Sequence, residues 1–256
     1  MDPPDDEFEP PAACIQWCST RSYDLHVLDD GVEIDLDWWN SQVTKAGHEI
    51  SLRARNFDGH IVNTGRAVLQ RNDLRYHKEL VDGDNDALGL LFLCAAWRSR
   101  HPDRRAALRF PDIVDRHAQP GKSPLVEITH TLDHCLQCRH MPDNPNRPWS
   151  AWPITPGVGV ALLATFLWAT DVHTSAGPAQ LVDQHGVSTL LHEGWLEDPS
   201  VNDFTPRRYL HYLELLHSWA RQADTEPELV EMWLVQRWNA RVREARGGAP
   251  AQPTLF

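Results

Sequence analysis

An aspartate, a pair of glycines and a run of histidines and cysteines are the residues whose types and spacing could do chemistry here. Asp183, in "LVDQHGV", stands 24 residues after Gly159, between apolar residues and ahead of a helical pattern. A carboxylate in that place either caps the first backbone amides of the helix or offers a negative charge to a reacting centre. Gly157 and Gly159 lie in "TPGVGVALLATFLWA" (Thr155 to Ala169), a Pro-Gly-x-Gly turn that runs straight into an apolar segment. Glycines permit positive φ and let a phosphate approach the backbone. The helix that follows brings the positive end of its dipole to the same point. Such a turn can grip a nucleic-acid backbone through its amides without reading sequence. The bland alternative is a tight turn feeding a buried helix.

The third constellation is "HTLDHCLQCRH", with His130, His134 and Cys138 at helical i, i+4, i+8 spacing on one face. Imidazole and sulfur at this spacing could hold Zn²⁺, with Cys14 and Cys18 ("CIQWC") as further donors. Only one C-x-x-C is present, and free thiols beside half-buried histidines are the competing reading. No other cofactor is expected. The five cysteines do not suggest a disulfide framework.

These residues need helices to position them. Asp86 is the expected N-cap of "ALGLLFLCAAWRSR", apolar on every face and therefore buried. Ser123 and Pro124 open "LVEITHTLDHCLQCRHM", where Leu125, Ile128, Leu132 and Cys135 share a face. Thr205-Pro206 opens "RRYLHYLELLHSWARQA". Thr225 and Glu228 fit a capping box for a last helix that stops at Gly247-Gly248. "YDLHVLDDGVEIDL" could form two short strands about an Asp-Asp-Gly turn, and "HEISLRAR" could form another. The chain thus reads as mainly α, with a small β element near the N-terminus.

Composition bounds the function. The net charge is −12, but residues 1–37 hold eleven acidic residues against Arg21 alone, ten of the twelve net negative charges. The remainder is near neutral and contains "RSRHPDRRAALRFPDIVDRH", where Arg98, Arg100, Arg104, Arg105 and Arg109 could meet phosphates or form a solvated face. Apolar residues make up 41% and no run is long enough to cross a bilayer, so no membrane partner is expected. The acidic start has no basic n-region or apolar h-region, so a cytoplasmic protein is expected.

The order "PGVG", apolar helix, short loop, "LVD", helix resembles the core of the helix-hairpin-helix DNA glycosylase superfamily, in its 8-oxoguanine glycosylase-like branch. The likeness covers residues 150–245 or so. It implies a two-subdomain helical architecture: an acidic segment 1–37, a helical subdomain 38–122, a helix-hairpin-helix subdomain 123–248 and a tail 249–256. It implies DNA as partner and a base flipped from the duplex. Gly157, Val158, Gly159 and Ala161 would hold the DNA backbone, and Asp183 would act on the glycosidic bond. Trp149, Trp152, Trp168 and Trp219 would offer stacking surface for the base, unless they are core. Gln184 and His185 would hydrogen-bond base or backbone. Family members that also cut the strand carry a hairpin lysine. Val160, Ala161 and Thr165 stand at the candidate positions, so the implied chemistry is hydrolytic and monofunctional. A non-catalytic nucleic-acid-binding protein and a metal-binding helical protein are the alternatives.

Overall fold

The computed structural model describes residues 8–104, 106–111, 113, 124–140, 157–195, 200–201 and 204–247. Helix α1 (Ala12–Ser19) precedes a π-helical turn over Asp24–Leu28 and strand β1 (Gly31–Asp35). Helix α2 (Leu36–Lys45) leads to β2 (Ile50–Leu52), β3 (Ala54–Arg55), β4 (Ile61–Val62) and β5 (Arg66–Gln70). Helix α3 (Arg71–Arg75), β6 (Val81–Gly83) and α4 (Asp86–Arg98) follow. The second half holds α5 (Pro124–Cys138), α6 (Val160–Ala169), the ribbon β7 (His173–Thr174) with β8 (Gly177–Pro178), α7 (Gln184–Glu193), α8 (Pro206–Gln222) and α9 (Pro227–Ala245). The protein is mainly α with a small sheet near its N-terminus. No helix among the described residues is long and apolar enough to cross a membrane.

The sheet runs β1-β5-β3-β4, all antiparallel. Its alternation is that of a half-buried sheet. Val32 faces Leu69 and Ile34 faces Ala67 across the β1–β5 pair, and all four are buried. Glu33 and Arg66 point outward and pair at 3.0 Å. β2 and β6 form a separate two-stranded ribbon. Of the two strands expected around Asp29-Asp30-Gly31, only the second forms. Residues 24–28 coil, and only Val27 among them is buried.

Two helices form the spine. In α4 every residue from Ala87 to Trp97 is buried, which is why no face of it is polar. Gly89 lets α4 lie directly on β6, since a Cβ there would come within 2.3 Å of the Val81 side chain. Its cap is Asn85, accepting from the Leu88 amide at 2.8 Å, one residue earlier than expected. Helix α6 runs antiparallel to it. Residues at the end of α4 and the start of α6 line one cleft, and the start of α4 and the end of α6 line another.

The last two helices open differently from one another. Thr205 caps α8 through the Arg208 amide, with Pro206 in the first turn, as the sequence predicts. The Thr225/Glu228 capping box does not form. Helix α9 starts after Glu226 with no side-chain cap. Glu228 turns inward instead, because the indole N–H of buried Trp168 needs an acceptor and finds Glu228 Oε1 at 2.9 Å.

Candidate functional site

Asp183 caps α7, its Oδ1 accepting from the His185 amide at 2.9 Å. The loop before it is pinned from α8. Tyr209 donates to the Gln180 carbonyl at 2.7 Å and Tyr212 to the Leu181 carbonyl at 3.0 Å. Helix α7 is held against α9 where Gly186 meets Leu234 and Val235 and the Thr189 hydroxyl donates to the Leu234 carbonyl. The carboxylate is therefore rigidly placed. It is also 4% exposed.

Its second oxygen faces cations. Arg98 Nη2 lies 3.3 Å from Asp183 Oδ2, and Arg104 Nη1 lies 4.0 Å from it. Arg104 is itself locked by a fork of two bonds to Glu231, at 2.7 and 2.9 Å. Burial works against its charge, but Glu231, with Asp183 and Asp30 adding to it, holds this guanidinium above the ordinary arginine value. Arg71 approaches the same Glu231 at 3.6 Å and stacks on the Trp168 ring at 4.3 Å, fully buried, its three nitrogens without a hydrogen-bond partner. Asp30 accepts from His101 at 3.0 Å. Burial raises its carboxyl, but the His101 bond, with Arg104 and Arg71 beyond it, leaves it below the usual carboxylate range. A dry, alternating net of charges thus lies behind Asp183.

In front of Arg98 lies a cleft of about 190 Å³, lined among others by Arg98, Arg109, Gly157, Gly159, Val160 and Ala161. Gly157 sits at φ +93, a left-handed conformation that favours glycine. Gly159 is the N-cap of α6 in ordinary extended backbone. It has no side chain to cap the first amides, and a Cβ placed on it meets open space. Val158 is buried. The structure thus brings Gly157, Gly159, Ala161 and Arg98 to one cleft, with Asp183 one side chain behind its wall.

The other candidates separate. Trp168 is core: Glu228 takes its N–H while Arg71 and Arg75 lie over the ring at 4.3 and 4.2 Å, leaving no surface for a base. Trp219 is core as well, packed on Phe8 and Trp233, its N–H donating to the Phe8 carbonyl. Trp149, Trp152, Arg105 and Ser123 lie outside the described residues. Gln184 is exposed, its Oε1 accepting from the Val201 amide at 3.1 Å. His185 is half-buried, 3.4 Å from the Asp103 carbonyl. Of the arginine run, Arg100 and Arg109 are exposed and Arg104 is internal.

The expected zinc site at His130, His134 and Cys138 gains no support. Cys138 Sγ lies 3.9 Å from His134 Nδ1, which gives two donors of the four a structural zinc needs. Among the described residues no group of three or more His, Cys, Asp or Glu could hold a metal ion. Burial pushes the Cys135 thiol up to about 12, away from the thiolate a metal requires. Cys14 and Cys18 are buried in α1, and none of the five cysteines forms a disulfide.

What the sequence reading missed is the role of Glu231, Glu228 and Arg71: Glu228 reads as half of a capping box, and Glu231 and Arg71 carry no local signal of a role. The chain has three lysines, Lys45, Lys78 and Lys122, none of them in the glycine turn or the helix that follows it, and no lysine is among the described residues that line the cleft.

Residues 25–235 match one family model, described as "Putative 8-oxoguanine DNA glycosylase OGG-like protein". No curated protein and no solved structure matches the chain.

Proposed function

The chain belongs to this OGG-like family, and we propose that it is a DNA N-glycosylase that releases a damaged or modified base by hydrolysis. The observation that supports this reading is Asp183 held at the head of α7, joined through Arg98 to a cleft whose wall is the glycine hairpin. The hairpin amides and the start of α6 would take a phosphate of the DNA backbone. A nucleotide swung out of the duplex would bring its sugar to Asp183. As the glycosidic bond breaks, positive charge grows on the sugar, and the carboxylate stabilises it and orients the attacking water. The glycine turn and the helix after it contain no lysine, so this reading is hydrolytic, without an imine at that spot. The arginines nearby stay protonated and cannot serve as nucleophiles.

The test is base release from a duplex carrying 8-oxoguanine and from a panel of other lesions, scored as alkali-labile abasic sites. Asp183→Asn should lower the rate by at least about a hundredfold, the scale of a positioned acid–base group, and spare binding. Equal rates in the variant and the parent would remove Asp183 from the chemistry. The burial of Asp183 supports a second reading, a DNA-binding protein that keeps the scaffold without the reaction. That reading expects salt-sensitive binding and no abasic sites with any lesion.

A further inference from the structure

Two arginines approach Asp183, and they are held very differently. Arg104 is fixed by its fork to Glu231 and lies 4.0 Å from Asp183. Arg98 has no such partner. Its Nη2 reaches Asp183 Oδ2 at 3.3 Å and its Nη1 reaches the Thr165 hydroxyl at 3.1 Å, both long for charge-assisted bonds. The Thr165 hydroxyl donates onward to the Ala161 carbonyl at 3.0 Å, so Arg98 ties the hairpin helix to the head of α7. The same side chain lines the cleft with Gly157 and Gly159, while Arg104 does not. Burial, with Arg104 repelling it, weakens its hold on the proton and Asp183 opposes that loss, so the charged Arg98 needs an anion beside it.

We propose that Arg98 is a positioning residue that couples the hairpin cleft to Asp183, one guanidinium for which the Asp183 carboxylate and a phosphate of the DNA backbone compete. A phosphate offers the planar fork two oxygens at once, whereas Asp183 offers one, its other oxygen being engaged by the His185 amide. When a phosphate enters the cleft, Arg98 turns to it and Oδ2 of Asp183 loses its nearest cation. The carboxylate is then open to the sugar only when the backbone is seated. Bonding to Thr165 and lining the cleft place Arg98 within reach of both anions without movement of α4. The proposal rests on the reading that the hairpin cleft holds DNA.

The experiment is a double-mutant cycle on binding of an unmodified duplex, followed by fluorescence anisotropy over a range of salt. The four proteins are the parent, Asp183→Asn, Arg98→Gln and the double variant. Asp183→Asn frees Arg98, so it should bind several-fold tighter, and its log–log salt slope should steepen by about 0.9, the change for one added phosphate contact. Arg98→Gln should erase that gain. A charge lost merely near the DNA would tighten binding in both backgrounds alike, so a gain that survives in the double variant overturns the proposal. Intact binding with no difference between the parent and Asp183→Asn overturns it too, and leaves the DNA reading standing. Absence of salt-dependent binding in all four removes both. Should Arg98→Gln fail to fold, the slope of Asp183→Asn alone decides, an unchanged slope overturning the proposal.

Discussion

The two ends of the antiparallel α4–α6 pair are built from opposite materials. At the glycine-turn end, charge is internal. Arg98, Arg104, Glu231 and Asp183 are nearly dry, and the open wall in front of them is glycine backbone. At the far end, charge is external. A broad cleft of about 870 Å³ is lined by residues such as Lys78, Asp84, Asp86, Asp133, Arg139 and Asp171, and its ion pair, Arg139 with Asp171 at 3.4 Å, is 67% and 46% exposed. The same two helices therefore end in a pre-set electrostatic device on one side and a solvated rim on the other. A charge fixed in low dielectric acts strongly on its neighbours, whereas one in water acts weakly. The glycine-turn end is the one where fixed charge stands beside an open backbone wall.

Substitutions should break this contrast in graded fashion. Glu231→Ala leaves Arg104 and Arg71 buried without their anion, and should cost about 3–5 kcal/mol, as for breaking a buried pair. A drop in Tm of roughly 10 °C by calorimetry is expected. A change under about 2 °C would mean the net is not the dry device described here.

Gly157→Ala should cost about 1–2 kcal/mol, because φ +93 is strained for any residue with a Cβ. Gly159→Val should leave stability within about 0.5 kcal/mol, since its Cβ meets open space, yet weaken DNA binding by filling the cleft. Denaturant melts and anisotropy read the two effects separately. If both variants lose stability alike, the cleft is only a turn.

A smaller effect is expected at the far end from His77, 4% exposed, whose pKa burial lowers from 6.5. The unfolded chain then takes a proton that the folded one refuses. Stability should hold above about 6.5 and fall as the pH drops from there towards the lowered folded value. His77→Leu should flatten this part of the pH profile, and an unchanged profile would count against it. The smallest effect belongs to Arg139→Ala, between 0 and about 1 kcal/mol, as for an exposed pair. A larger loss would show that the far rim is not a solvated one.

The sequence was most legible where one residue decides locally. Thr205-Pro206 starts α8 because the hydroxyl and the ring act within a single turn. Asp183 caps α7 for the same reason. Legibility failed where a distant partner decides. Glu228 reads as half of a capping box, but Trp168, 60 residues earlier, claims it. Trp168 and Trp219 read as core by preference, with stacking surface as the alternative, and the occupants of their ring faces decide for core. The β element was under-read, because β3 and β4 are two residues long and carry almost no periodicity. Arg98 reads as one of five arginines that meet phosphates or form a solvated face, but its pairing with Asp183 spans 85 residues and has no local signature.

The scarcity of lysine at the hairpin has a practical consequence for how this protein can be watched. Borohydride captures only an imine between an amine and an opened sugar, so it should report nothing from a glycine turn and helix that carry no lysine. Dicarbonyl reagents, which label arginine, suit it instead. Exposed Arg109 should be modified first, and Arg98, 11% exposed in its side chain, should be shielded while it stays against Asp183. The order in which those two residues are labelled, read by mass spectrometry with and without DNA, would turn the protein's choice of cation into a footprint of its working state.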